Sequence, residues 1–177
     1  MRRWKIRAIG LLLAAALMTS PALAAGPATP VPVIVPTPQA MTVDGVLVSP
    51  AAYNIDGRNY FKLRDLAMLL NGTNAQFQVA YGAEDRTIYL TPGLAYQPMG
   101  GELKPVGEPG TVAVSTQQVV FDGDMVLVLT AYNIDGYNYF MLRELAEFLG
   151  FAVGYLEETN TIQVQTISGD PIAPIQP

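Results

Sequence analysis

The sequence predicts an α+β fold of two tandem small units, each an antiparallel β-sheet of hairpins packed on one short amphipathic helix. Three observations carry this expectation. Residues 52–70 and 131–149 share 14 of 19 positions at a constant offset of 79, so one unit is present twice. Asp-Gly pairs at 44–45, 56–57, 122–123 and 135–136 lie between β-branched and aromatic runs, the composition of two-residue hairpins. After the second hairpin of each copy, leucines and an alanine recur at helical spacing.

Taken in order, residues 1–24 read as a secretory signal peptide. Arg2, Arg3, Lys5 and Arg7 form a basic start, Ala8 to Met18 an apolar run, and Ala22-Leu23-Ala24 the small residues of a cleavage site. The apolar run is 11 residues long, well short of the ~20 that a membrane-crossing helix requires. Residues 25–38 carry Pro27, Pro30, Pro32, Pro36 and Pro38 and are expected to be an extended proline-rich spacer.

The first unit is expected over 39–92. Asp44-Gly45 turns one hairpin and Asp56-Gly57 a second, which places Tyr53 opposite Tyr60 and Asn54 opposite Asn59. Leu63, Leu66, Ala67 and Leu70 then define a short helix ended by Asn71-Gly72. Phe77, Val79 and Tyr81 alternate as a strand that returns over Thr87 to Leu90. Residues 93–116, containing Gly100-Gly101, are read as a connector with a hairpin. The second unit follows over 117–166, with Asp122-Gly123, a helix through Leu142, Leu145, Ala146 and Leu149 ended by Gly150, and a return strand over Thr161 to Val164. Residues 167–177 read as an irregular tail. A helix of two turns is marginal alone, so each is expected to lie across its own sheet and fill a small core.

The composition narrows the chemistry. The chain has 177 residues and neither histidine nor cysteine, which removes the usual zinc, copper, haem and iron–sulfur ligand sets, histidine-dependent nucleophiles and disulfides. No cofactor, metal site or catalytic residue is expected. All 15 acidic residues follow Ala24 and four of the ten basic ones precede it, leaving a net charge of −9 beyond residue 24. The remaining cations, Arg58, Lys62, Arg64, Arg86, Lys104 and Arg143, are scattered along the sequence, so no nucleic acid partner is expected and no integral membrane segment after signal cleavage. The expected location is secreted or associated with the cell surface.

The repeated AYNIDGxNYFxLR(D/E)LA, the following Phe-x-Val-x-Tyr strand and the segment Tyr96-Gln97-Pro98-Met99-Gly100-Gly101-Glu102-Leu103 resemble the copper amine oxidase N-terminal-like domain, or stalk domain, of exported bacterial proteins. The resemblance covers roughly residues 39–166 and implies a small antiparallel sheet packed on a helix. In the oxidase that names the family this domain is a peripheral stalk, apart from the copper and the quinone. Fold and export are what the resemblance implies here, with an accessory or surface role. The oxidase site needs three imidazoles, and this chain has none.

The expected function is therefore an exported, non-catalytic stalk, scaffold or interaction module of the bacterial cell envelope, with an envelope protein or polysaccharide as partner. The alternative is a carbohydrate- or peptidoglycan-binding module that uses the repeated hairpins. Its candidate surface is Tyr53, Asn54, Asn59 and Tyr60 in one copy and Tyr132, Asn133, Asn138 and Tyr139 in the other, since aromatic faces and amide donors suit sugars. The structural reading of the same residues is that the tyrosines pack the sheet and the asparagines satisfy turn backbone. Asp122-Gly123-Asp124 lacks the later oxygen ligands of a calcium loop and reads as a turn. Glu84-Asp85 and Glu157-Glu158 are paired carboxylates that a glycosidase could use, but both fall at expected turn tips. Arg64 and Arg143 could hold an acidic group, or bond carbonyls of their own unit and, for Arg143, Glu147.

Overall fold

Four Asp-Gly turns organise the chain. Asp44, Asp56, Asp122 and Asp135 take φ of 47°, 49°, 51° and 50°, and each following glycine is also positive, between 81° and 91°. Two successive positive φ values give the turn whose twist matches the strands it joins. The computed structural model describes residues 32–166, which fold as α+β, rich in strand with two helices. The expected signal peptide, the spacer up to residue 31 and the tail over 167–177 lie outside the described residues. No helix among those described is long and apolar enough to cross a membrane.

Each copy of the repeat contributes the same succession of elements. The first gives β1 (Ile34–Pro36), β2 (Ala40–Val43), β3 (Val46–Val48), β4 (Ala52–Ile55), β5 (Arg58–Lys62), α1 (Leu63–Leu69), β6 (Phe77–Gly82) and β7 (Thr87–Pro92). The second gives β8 (Val112–Val114), β9 (Gln118–Phe121), β10 (Met125–Leu127), β11 (Ala131–Ile134), β12 (Tyr137–Met141), α2 (Leu142–Leu149), β13 (Ala152–Leu156) and β14 (Thr161–Gln165). Both helices bury their leucine faces, Leu63, Leu66 and Ala67 in α1 and Leu142, Leu145 and Leu149 in α2. Gly150 ends α2 in the left-handed conformation at φ 71°, its N–H donating to Ala146 O.

Two features of the spacer and connector depart from expectation. Ile34–Pro36, inside the proline-rich segment, forms an edge strand, a position that tolerates Pro36 because one side of the strand needs no donor. The connector contains no hairpin between 93 and 111; its only strand is β8, at the opposite edge of the same sheet. The two edge strands are anchored alike. Asp56 Oδ1 accepts the Val33 amide at 3.0 Å, and Asp135 Oδ1 accepts the Thr111 amide at 2.7 Å. The rest of the connector is held by side chains: Asn71 exchanges two hydrogen bonds with the backbone of Tyr96, and the buried Tyr96 hydroxyl donates to Glu102 at 2.7 Å.

The sheets are not assembled within each copy. A six-stranded antiparallel sheet runs β1-β4-β5-β12-β11-β8, with the two copies meeting at β5 and β12 and Phe61 opposite Phe140. The flanking partners are Tyr139 with Lys62 and Met141 with Tyr60, the register of a pseudo-two-fold axis through the phenylalanine pair. The two smaller sheets exchange hairpins. In one, β6 and β7 of the first copy join β9 and β10 of the second through a parallel seam between β7 and β9. In the other, β13 and β14 of the second copy join β2 and β3 of the first through a parallel seam between β14 and β2.

This corrects the expectation of separate sheets, all antiparallel, in each unit. A lone hairpin cannot bury a face, and joining two makes a four-stranded layer. Because both copies carry the same strand pattern, a hairpin fits the other copy as well as its own. The result is one continuous core that includes Phe61, Leu66, Phe77 and Leu90 of the first copy with Phe140, Leu145, Ile162 and Val164 of the second. Burying each such leucine contributes roughly 1.5–3 kcal/mol, so neither copy keeps its full core without the other.

Candidate functional site

Cross-strand pairing follows the sequence expectation: Tyr53 lies opposite Tyr60 and Asn54 opposite Asn59, as do Tyr132 and Tyr139, Asn133 and Asn138. The ring contacts are different. Tyr53 packs edge-on against Tyr139 at 5.3 Å between centroids, and Tyr60 against Tyr132 at 5.1 Å, so each aromatic pair spans the two copies. With β5 beside β12, the tyrosines of the two expected patches merge into one cluster that also contains Ile55 and Ile134. Tyr53, Tyr60 and Tyr139 are each 3% exposed and Tyr132 is half-buried. Burial pushes the Tyr53, Tyr60 and Tyr139 phenols above the ordinary tyrosine value, which keeps them neutral. A sugar face needs open aromatic rings, and these are turned inward.

The asparagines occupy the opposite face of the same ribbons. Asn54 Nδ2 donates to Asn59 Oδ1 at 2.9 Å, and Asn133 Nδ2 to Asn138 Oδ1 at 3.2 Å. Asn54 Oδ1 also accepts the Gly57 amide, so this side chain braces its own turn. Asn59 and Asn138 reach two surface grooves.

A buried charged cluster was not foreseen from the sequence. Lys62 and Asp65 are almost fully enclosed, with Nζ 3.4 Å from Asp65 Oδ1. The Lys62 ammonium donates to Gly101 O at 2.5 Å and lies 4.1 Å from the centre of the Tyr137 ring. Asp65 Oδ2 accepts the Ala51 amide at 2.7 Å, and its counterpart Glu144 accepts the Thr130 amide at the same distance. The acidic residue in the first turn of each helix thus ties that helix to the start of its ribbon. In the second copy Met141 stands where the first has Lys62, so the ammonium that pins the connector occurs once. Nearby, the hydrogen bond from Tyr96, reinforced by the Met99 amide, holds the Glu102 carboxyl down at about 2.

The two grooves are equivalent under the pseudo-two-fold. The first, about 290 Å³, is lined by Arg64, Tyr81, Gln117 and Asn138; the second, about 340 Å³, by Arg143, Tyr155, Gln39 and Asn59. Each takes its arginine and tyrosine from one copy and its glutamine and asparagine from the other. Leu63, Val79 and Ile88 supply apolar wall in the first, and Leu142, Val153 and Ile162 in the second. Neither Arg64 nor Arg143 forms an ion pair among the described residues, so the expected Arg143–Glu147 pair is not made.

The remaining carboxylates do not converge. Among the described residues no three acidic side chains gather into one site. Asp85 is tied to its own turn by the Tyr89 hydroxyl and the Thr87 amide, and Glu157 and Glu158 lie in an exposed single turn of 3₁₀ helix. Asp122, Gly123 and Asp124 form the β9–β10 turn, a three-residue loop where the other three Asp-Gly turns have the expected two. Compared with known protein families, curated proteins and solved structures, the chain has no match.

Proposed function

We propose that this protein is an exported, non-catalytic stalk or scaffold module of the bacterial cell envelope, as its stalk-domain resemblance implies. The observation that carries the reading is the joint core: both copies share one interior, and the tyrosines that could have formed a sugar face pack into a second cluster, also made by both copies. Exchanged hairpins make a body that resists separation of its halves, which suits a spacer or mount. The complete lack of histidine and cysteine supports a non-catalytic role. The alternative, a saccharide module working through the Tyr/Asn hairpins, needs its tyrosines at the surface, and three of the four are buried.

Expression in a secreting bacterium followed by fractionation and mass analysis tests this reading. The expected product begins at Ala25 and is recovered from the envelope or medium. Uncleaved protein confined to the cytoplasm overturns it.

A further inference from the structure

Charge is segregated in this molecule. Of the six cations that follow Ala24, Arg58, Lys62, Arg64 and Arg143 line the two grooves, and none of the 14 acidic residues among those described does. Lys62 turns its ammonium to Gly101 O and Asp65, and Arg58 lies beside the Tyr60 phenol on the face of β5 opposite Asn59, which leaves Arg64 in the first groove and Arg143 in the second without an ion-pair partner among the described residues. In a chain of net negative charge, concave surfaces lined by one sign concentrate the opposite sign.

The polar groups are matched between the grooves. Aligned on the Asp-Gly turns, residues 34–43 and 112–121 share a single residue, Gln39 with Gln117. Both glutamine Oε1 atoms are buried and lack a hydrogen-bond donor among the described residues. A buried acceptor left unmet is costly, and its recurrence at both equivalent positions marks a feature of the groove. The oxygens of Asn59 and Asn138 are taken by Asn54 and Asn133, while their amide nitrogens have no partner among the described residues. Tyr81 and Tyr155 are retained yet exposed, unlike the phenylalanine and valine that accompany them in the strand.

We propose that the two grooves are a matched pair of binding sites for a carboxylate-bearing saccharide. The guanidinium of Arg64 or Arg143 meets the carboxylate, and the asparagine amide donates to a ring or hydroxyl oxygen. The tyrosine and the aliphatic wall take the apolar face of the ring. Grooves of about 290 and 340 Å³ lie at the small end of ligand sites, a size for the terminal residue or two of a chain. This goes beyond the scaffold reading, since a rigid mount needs no such sites, and neither depends on the other.

Titration of the full chain with an oligogalacturonide, followed by calorimetry, tests the proposal. The expected result is two sites, with the fully methyl-esterified oligosaccharide binding about tenfold or more weakly, because the ester keeps the sugar and removes the charge. Arg64→Gln and Arg143→Gln each remove one site, and the double variant removes both with its melting temperature unchanged. Binding of the ester equal to that of the acid, retention of both sites in the double variant, or no binding of the acid overturns the proposal. Binding of N-acetyl-D-alanyl-D-alanine as tight as that of the oligogalacturonide overturns the saccharide assignment in favour of a peptide carboxylate.

Discussion

Asp44 grips Thr166 across the whole length of the repeat. Its Oδ1 accepts the Thr166 amide at 2.7 Å and its Oδ2 accepts the threonine hydroxyl, while the Asp44 amide itself donates to Val164 O at 2.9 Å. The backbone bond has an equivalent in the other small sheet, where the Asp122 amide donates to Leu90 O at 2.9 Å. The side-chain grip at Thr166 is the first copy's own.

That asymmetry is measurable. Asparagine tolerates the same positive φ, so Asp44→Asn and Asp122→Asn disturb their turns equally. Asp44→Asn is expected to cost about 1–2 kcal/mol more, read as a lower urea midpoint, because it weakens two charge-assisted bonds. Equal midpoints for the two variants refute the grip.

Exchanged hairpins predict that neither copy stands alone. Fragments 32–92 and 93–166 are each expected to lack cooperative thermal unfolding when separate. On mixing they are expected to regain the circular dichroism of the intact chain. A fragment that melts cooperatively by itself as a monomer contradicts the shared core.

Glu102 sets an acid limb. Its carboxyl titrates at about 2 in the folded chain against 4.5 ordinarily, so the unfolded state binds the proton first as pH falls. The stability it contributes is complete above pH 4.5 and is lost as pH drops toward 2. Glu102→Gln is expected to lower the melting temperature at neutral pH and to flatten the decline between those limits. A decline as steep as that of the parent rejects this role.

Four buried tyrosines set an alkaline limb of opposite sign. Tyr53, Tyr60, Tyr96 and Tyr139 all ionise above their ordinary value of 10.0 in the folded chain, so the unfolded state releases protons first. Their contribution is full below pH 10 and fades as pH rises beyond it. Four tyrosines are expected to ionise only with loss of tertiary structure, seen as coincident changes in absorbance at 295 nm and in near-ultraviolet circular dichroism. Ionisation of all nine tyrosines before any unfolding argues against the buried cluster.

The sequence was legible where the physics is local. Asp-Gly turns, the Tyr53–Tyr60 and Asn54–Asn59 registers and both helices follow from backbone preference and hydrophobic spacing. What it could not decide is which copy a hairpin joins, since β2 presents the same alternation to β7 as to β14. The inward turn of the tyrosines depends on that choice, because Tyr60 meets Tyr132 only when β5 pairs with β12. Lys62 escaped notice for a related reason: its partner Asp65 is local, but the Gly101 carbonyl and the Tyr137 ring reach it through the connector and the other copy. The grooves were hidden in the same way, their glutamines lying far along the chain from the arginines they accompany.

The parallel seam between β2 and β14 has a consequence in time. Near the start of the described chain stands a strand whose sheet is closed by one near its end, so synthesis from the N-terminus leaves the first copy with open edges until the second is complete. Two chains in that half-made condition can complete each other with the same strand pairings, in competition with closure within one chain. Protein concentration during refolding is therefore expected to select between a monomer and an intertwined dimer with the same strand pairings, which size-exclusion of dilute and concentrated refolds reads.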